Sequence, residues 1–226
     1  MKILAFDTAA RACSVALLDG DRVLAERLCE MDRGQAEVLL GLVQDVLAAA
    51  DTCFAKLDRL ATTLGPGSFT GLRVGLATAR GIALAAKLPV VGVTSFEAVA
   101  NGVASSERKG RRVLVALDTK RRDFYAQLFD EALHPLDPGG VLSVADCAEV
   151  ARSGPLLVVG DGAPLLRDAL MQDADKCVLD ACDVRWSDAP GYPQAVVLAR
   201  LAAGRTPTAD LRPIYLRPPE AKLPKA

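Results

Sequence analysis

The sequence predicts an α/β protein built from two similar lobes, and an internal repeat is the main observation behind this prediction. Residues 2–8, KILAFDT, are echoed 111 positions later by residues 113–119, VLVALDT. Each copy is an apolar strand that ends in Asp-Thr, and a second apolar strand follows after a short turn. A strand–turn–strand unit that occurs twice, with helical segments elsewhere in the chain, indicates a duplicated α/β domain.

Length and composition limit the class of protein. The chain has 226 residues, 51% apolar and 24% charged, which is enough to bury one large core or two small ones. Its net charge of −1 gives it no field that would attract nucleic acid by itself. Six cysteines without a C-x-x-C pair indicate reduced thiols in a cytoplasmic protein, and no uncharged apolar run has membrane-spanning length. The single histidine, His134, excludes a two-histidine metal site.

A polar, charged stretch at residues 105–112 is the best candidate for a boundary between lobes. We expect residues 1–105 together with 191–210 to form the N-terminal lobe, and residues 111–190 to form a smaller C-terminal lobe. Residues 211–226 contain four prolines, so we expect an extended tail rather than a regular element.

The turn Gly65-Pro66-Gly67-Ser68 opens the longest predicted helix, which runs to Lys87. Ser68 or Thr70 can cap this helix by accepting a backbone N–H bond. A glycine-rich turn before a helix can bind an anion, or it can simply pack the helix tightly against a sheet. The Lys-Ser/Thr ending of a P-loop is absent here, which favours the packing interpretation.

This helix and a second one, predicted over residues 35–50, carry more apolar surface than a single sheet contact requires. The second helix is equally consistent with burial between sheet and neighbouring helix or with a subunit interface. We predict that the two helices pair and present a joint face to another subunit. The residues predicted to form it are Leu39, Leu42, Val43, Val46, Gly71, Leu72, Arg73, Gly75, Leu76 and Ala79.

The two strand ends marked by Asp7-Thr8 and Asp118 correspond to the positions where actin-like ATPases and sugar kinases hold Mg²⁺ and phosphate. Those proteins need glycines after the acid, so that backbone N–H groups can reach phosphate. Here Asp7 is followed by Thr-Ala-Ala and Asp118 by Thr-Lys-Arg. We therefore interpret Asp7, Thr8 and Asp118 as a vestigial phosphate site, and we expect no catalytic residue, no metal site and no cofactor in this chain.

Four stretches resemble the bacterial TsaB family, also called YeaZ. They are residues 65–75 (GPGSFTGLRVG), 3–9 (ILAFDTA), 33–43 (RGQAEVLLGLV) and 215–224 (YLRPPEAKLP), and the resemblance covers nearly the whole chain. It implies the actin-like ATPase fold of the ASKHA and ribonuclease H-like group. TsaD-like proteins hold a metal with a His-x-x-x-His pair, and residues 35–39 contain no histidine.

The resemblance also implies a function. Members of this family are noncatalytic dimerisation subunits in the synthesis of N6-threonylcarbamoyladenosine (t6A) at position 37 of tRNA. The implied partners are the catalytic subunit TsaD and the ATPase TsaE, with a homodimer when the chain is alone and tRNA contacted only through the complex. ATP or ADP could bind at the complex interface. The alternative is a stand-alone nucleotide-dependent phosphotransferase of the actin-like fold.

Overall fold

A computed structural model of the protein describes residues 1–172 and 182–217 and contains two five-stranded sheets. The first sheet has the order β3-β2-β1-β4-β5. Its strands are β1 (Lys2–Ala10), β2 (Ala12–Asp19), β3 (Arg22–Glu30), β4 (Arg59–Gly65) and β5 (Val90–Thr94). The second has the order β10-β9-β6-β7-β8. Its strands are β6 (Arg112–Asp118), β7 (Asp123–Phe129), β8 (Gly140–Ser143), β9 (Leu156–Val159) and β10 (Val184–Trp186).

The two sheets follow one plan. In the first, β1 pairs antiparallel with β2 and parallel with β4. In the second, β6 pairs antiparallel with β7 and parallel with β9. Asp7 and Asp118 therefore lie at corresponding positions near the carboxyl ends of the two central strands. The prediction of a duplicated α/β fold with two lobes is confirmed.

Helices cover the first sheet on both faces. They are α1 (Gln35–Ala49) and α2 (Phe69–Ala86) on one face, and α3 (Ser95–Asn101) and α7 (Ala195–Ala203) on the other. Because α1 and α2 present Leu39, Val43 and Leu76 to the sheet, their buried stripes form one core with Leu4, Phe6 and Val15. This apolar stripe at helical spacing is the reason both helices lie flat on the sheet.

Helix α3 also connects the two lobes. Its Ala98 packs into the core of the first sheet, whereas Phe96 and Val99 pack against Val113 and Val115 of β6. A capping box at Thr94 and Glu97 starts this helix. The outer side of the second sheet is covered by α5 (Val144–Arg152) and α6 (Ala163–Gln172). One helix thus lies between the two sheets, and a cleft opens beside it.

The structure differs from the sequence-based expectations in three places. Strands β8 and β10 are too short, at four and three residues, to show a period of two in the sequence. The polar stretch expected to be a plain linker contains the short helix α4 (Ser105–Arg108). It also contains Arg111, a buried arginine whose guanidinium makes two bonds to the Asp183 carboxylate at 2.7 and 2.8 Å.

The segment after α7 runs along the first lobe. The Thr208 backbone N–H donates to Val90 O at 2.7 Å, and the Ile214 N–H donates to Leu64 O at 2.7 Å. Arg80 of α2 donates to Leu211 O. Residues 211–217 belong to the predicted extended tail, and the rest of that tail, residues 218–226, lies outside the described residues. Within the described ranges no helix has both the length and the apolar content needed to cross a membrane.

Candidate functional site

A cleft of about 360 Å³ separates the two lobes where the central strands end. From the first lobe it is lined by Arg11, the Gly67-Ser68 turn and Ser95, and from the second by Asp118–Lys120 and Asp161. The carboxyl ends of parallel strands are where ligands bind in sheets covered by helices. We therefore treat this cleft as the first candidate site.

Asp7 does not reach the cleft, because its side chain is 0% exposed. Its Oδ1 accepts hydrogen bonds from Thr63 Oγ1 and, at 3.2 Å, from the Ala9 backbone N–H, while Oδ2 has no partner. Burial raises the pKa of the Asp7 carboxyl to about 7, although the bond from Thr63 works in the opposite direction. The first acid of the predicted phosphate site is therefore enclosed in the core.

The turn before α2 closes the cleft above Asp7. Ser68 N donates to Ala9 O at 2.7 Å, and a Cβ on Gly67 would lie 2.5 Å from the same oxygen. Thr8 Oγ1 donates to Gly71 O at 2.7 Å, and a Cβ on Gly71 would lie 1.9 Å from Thr8 O. The turn thus packs α2 directly onto the end of β1, and Ser68 caps the helix, as the sequence predicts.

Asp118 lies in the cleft wall with a cation beside it. Its Oδ2 is 2.7 Å from Lys120 Nζ, and its Oδ1 accepts the Lys120 backbone N–H at 2.6 Å. The Asp118 backbone N–H donates to Asp161 Oδ1 at 2.9 Å. Burial, together with the negative charge of Asp118, raises the pKa of Asp161. The sequence marks Asp161 only as part of a Gly-Asp-Gly turn after a buried strand, so its place beside Asp118 is visible only in the fold.

Both strand-end acids accept the backbone N–H of the residue two positions later. Ala9 N donates to Asp7, and Lys120 N donates to Asp118. In a phosphate cradle, such amides point outward to the ligand. These residues therefore do not fit a phosphate cradle, whatever the width of the cleft. Among the described residues, no three His, Cys, Asp or Glu side chains are grouped as they would be to hold a metal ion.

Most residues predicted to face a partner lie on the wrong side of their helices. The eight that are buried against the protein's own sheet are Leu39, Val43, Val46, Gly71, Leu72, Gly75, Leu76 and Ala79. The most apolar stripe of a helix is the one its own sheet covers, and the sequence alone does not show which apolar stripe that is. Arg73 is exposed and Leu42 is half-buried, so these two remain available to a partner.

The opposite side of α1 and α2 is exposed and unusually poor in charge. We call it the outer face; its exposed apolar or small residues are Ala36, Leu40, Gly41, Ala48, Ala77, Gly81, Leu84 and Ala85. Leu84 is 84% exposed and Leu40 is 54% exposed. At the end of α2, Phe54 and Ile82 line an apolar hollow of about 530 Å³. Neighbouring exposed apolar side chains on paired helices are typical of a protein–protein contact.

The duplicated lobes, with an acid at the end of each central strand, define the class as the actin-like ATPase fold. A solved structure that shares the architecture is component A of (R)-2-hydroxyglutaryl-CoA dehydratase from Acidaminococcus fermentans. The TM-score is 0.51 at 12% identity, over 89% of this chain and 97% of that one. At this identity the likeness concerns the fold alone.

Closer similarities identify the family. The family model "TsaD: tRNA N6-adenosine threonylcarbamoyltransferase" matches residues 29–154. The tRNA threonylcarbamoyladenosine biosynthesis protein TsaB of Escherichia coli is 42% identical over 126 residues, 55% of this chain and 53% of that protein, so the match spans about half the length of this relative. YeaZ from Pseudomonas aeruginosa superposes with a TM-score of 0.74 at 26% identity, over 95% of this chain and 99% of that one. The chain belongs to this threonylcarbamoyltransferase family, in its TsaB (YeaZ) branch.

Proposed function

We propose that this chain is a noncatalytic subunit in the synthesis of N6-threonylcarbamoyladenosine in tRNA, and that it acts by binding the catalytic subunit TsaD. The observation that carries the noncatalytic part is the enclosure of Asp7. An acid with no exposed surface cannot touch a nucleotide or a metal, and the amide that would follow it in a phosphate cradle bonds back to the acid itself. The role in this pathway rests on the similarity to TsaB.

The outer face of α1 and α2 is the surface that we propose for TsaD. An apolar patch of this kind is costly to leave in water, because each buried Å² of apolar area contributes roughly 25 cal/mol. In the absence of TsaD, the same patch would pair two copies of this chain, since a two-fold contact is self-complementary. TsaE would join through the assembled complex, and ATP or ADP would bind at a subunit interface rather than in this chain alone.

The masses of the complexes test this proposal. Leu40→Glu and Leu84→Glu place charges in the outer face, and we expect them to reduce both self-association and binding to TsaD in size-exclusion chromatography with light scattering. Leu165 on α6 is 48% exposed and lies in the other lobe, so Leu165→Glu is the matched control and should change neither mass. Unchanged masses for the two outer-face variants would show that the contact lies elsewhere.

The noncatalytic role has a separate test in the reconstituted complex. Asp7→Asn and Asp118→Asn should each leave the rate of tRNA modification within about tenfold of wild type, which corresponds to about 1.4 kcal/mol of activation free energy. A loss of several orders of magnitude, with assembly intact, would make this chain catalytic.

The cleft between the lobes is the feature that favours the alternative, a stand-alone nucleotide-dependent phosphotransferase. Hydrolysis of ATP by the purified chain decides between the two. Robust turnover that Asp118→Asn abolishes would support the phosphotransferase, whereas the proposed subunit should show no turnover that depends on this acid.

A further inference from the structure

An arginine is stacked between two exposed aromatic rings at the edge of the cleft. The Arg73 guanidinium carbon lies 3.7 Å from the centroid of the Phe69 ring, and Arg73 Nε donates to Tyr215 Oη at 3.2 Å. The two ring centroids are 5.2 Å apart. Phe69 is 38% exposed and Tyr215 is 37% exposed. Aromatic rings are usually buried, so exposed rings on a shared arginine indicate a surface built for a partner.

The fold holds this group in place before any partner arrives. Tyr215 follows Ile214, whose backbone N–H is bonded to β4, and precedes Arg217, which is paired with Asp123 of the second lobe. Phe69 is the first residue of α2, directly after its cap. Because the rings are already ordered, binding a ligand to them costs little further side-chain entropy.

A groove of about 350 Å³ lies next to the rings and extends toward the second lobe. Its lining includes Phe69, Tyr125 and Tyr215 together with Arg121 and Arg217, and it contains no acidic residue. The turn that carries Arg121 also carries Lys120 and Arg122, both exposed. The groove therefore combines ring faces with positive charge, although the whole chain has a net charge of −1.

We propose that this groove binds single-stranded nucleic acid directly. Unpaired bases stack on aromatic rings and on arginine, and phosphates are attracted to the arginines and the lysine of the Lys120–Arg122 turn. An acidic peptide would use the positive charges but would leave the ring faces without planar partners. The proposal goes beyond the proposed function and replaces the expectation that this chain meets RNA only through a complex. It was not visible in the sequence, because the rings and charges come from three separate segments.

Fluorescence anisotropy with a labelled 12-nucleotide single-stranded RNA tests the proposal on the full chain. Binding should weaken roughly sevenfold between 50 and 200 mM KCl if two phosphates are contacted. Tyr215→Ala should weaken it about tenfold, as expected for the loss of one stacked base. Tyr215→Phe keeps the ring and should retain most of the affinity. Arg121→Glu should weaken binding and flatten the salt dependence.

The matched control is Arg27→Glu on the edge strand β3, which makes the same charge change far along the sheet and should leave binding within about twofold. A DNA 12-mer of the same sequence distinguishes the two sources of the strand, since a site for RNA binds the RNA more tightly. The proposal is overturned if the wild-type chain binds neither strand at 50 mM KCl, or if Arg27→Glu weakens binding as much as Arg121→Glu.

A protein contact at the same rings is the competing outcome. It would appear as a loss of TsaD binding by Tyr215→Ala, with no RNA binding by the wild-type chain, and it would also overturn the proposal. Failure of the proposed function is distinguishable, because that function is tested at Leu40 and Leu84 of the outer face. Those two variants should bind the RNA as wild type does.

Discussion

Asp7 and Asp118 occupy the same position in two copies of one sheet plan, yet their surroundings are opposite. Asp7 is sealed beneath the turn before α2 and has Thr63 as its side-chain partner, whereas Asp118 borders a cleft and is paired with Lys120. The strand order and the Asp-Thr sequence are shared, so neither causes the difference. The difference arises from what packs on the strand end: a capped helix in the first lobe, and a short charged turn in the second.

Each lobe nevertheless relies on a glycine at the corresponding strand. Gly71 lets α2 approach Thr8, and Gly160 lets the turn before α6 approach Ala116, where added Cβ atoms would lie 1.9 and 2.0 Å from backbone oxygens. Gly160 also has a φ of +124°, which L-residues rarely adopt. The close approach is common to both lobes, and the enclosure of the acid is not.

The largest effect that we expect is from a methyl group at these two glycines. Gly71→Ala and Gly160→Ala should each lower the free energy of unfolding by about 3 kcal/mol or more, because backbone must move to relieve the overlap. Urea denaturation followed by circular dichroism measures this effect.

Gly81 provides the control for these variants. It lies on α2 with nothing within 4 Å of an added Cβ, so Gly81→Ala should stabilise the chain by roughly 0.5–1 kcal/mol. If Gly160→Ala were harmless while Gly71→Ala was severe, the two lobes would not share this requirement.

A smaller effect concerns the charge of Asp7. Its pKa is about 7 in the folded chain and near 3.8 when unfolded, so the folded state holds the extra proton between these values. The free energy of unfolding should therefore fall as pH rises from about 4 to about 7, by roughly 3–4 kcal/mol, and level off above. Asp7→Asn mimics the protonated acid, and its stability relative to wild type should rise across the same window. Asp45→Asn, on the exposed side of α1, should keep the wild-type profile.

The smallest effect concerns the second acid. The Asp118–Lys120 pair joins a carboxylate that is 10% exposed to an ammonium that is 63% exposed. We expect a double-mutant cycle with Asp118→Asn and Lys120→Met to give a coupling free energy of about 1 kcal/mol or less, decreasing in high salt. A coupling of several kcal/mol would mean that this acid is held as firmly as Asp7, and the contrast between the lobes would fail.

Much of the fold is readable from local patterns. The repeat at Asp7 and Asp118 predicts two equivalent central strands, and the helices predicted over 35–50 and 70–87 are observed at Gln35–Ala49 and Phe69–Ala86. Ser68 is recognisable as a cap because its side chain acts on a residue only three positions away. The short strands β8 and β10 escape such reading, since their pairing comes from neighbours in the sheet and not from their own three or four residues.

The candidate sites depended more on distance in sequence. The glycines of α2 predict a close approach of backbone, but only the fold shows that Thr8 is the neighbour and that the partner is the chain's own sheet. The sequence by itself determined the periodicities, the turns and the repeated strand, because these depend on residues a few positions apart. The tertiary structure alone decided which helix stripe is buried, which acid is sealed and which rings meet arginine, because Phe69 and Tyr215 are 146 residues apart and only packing brings them together.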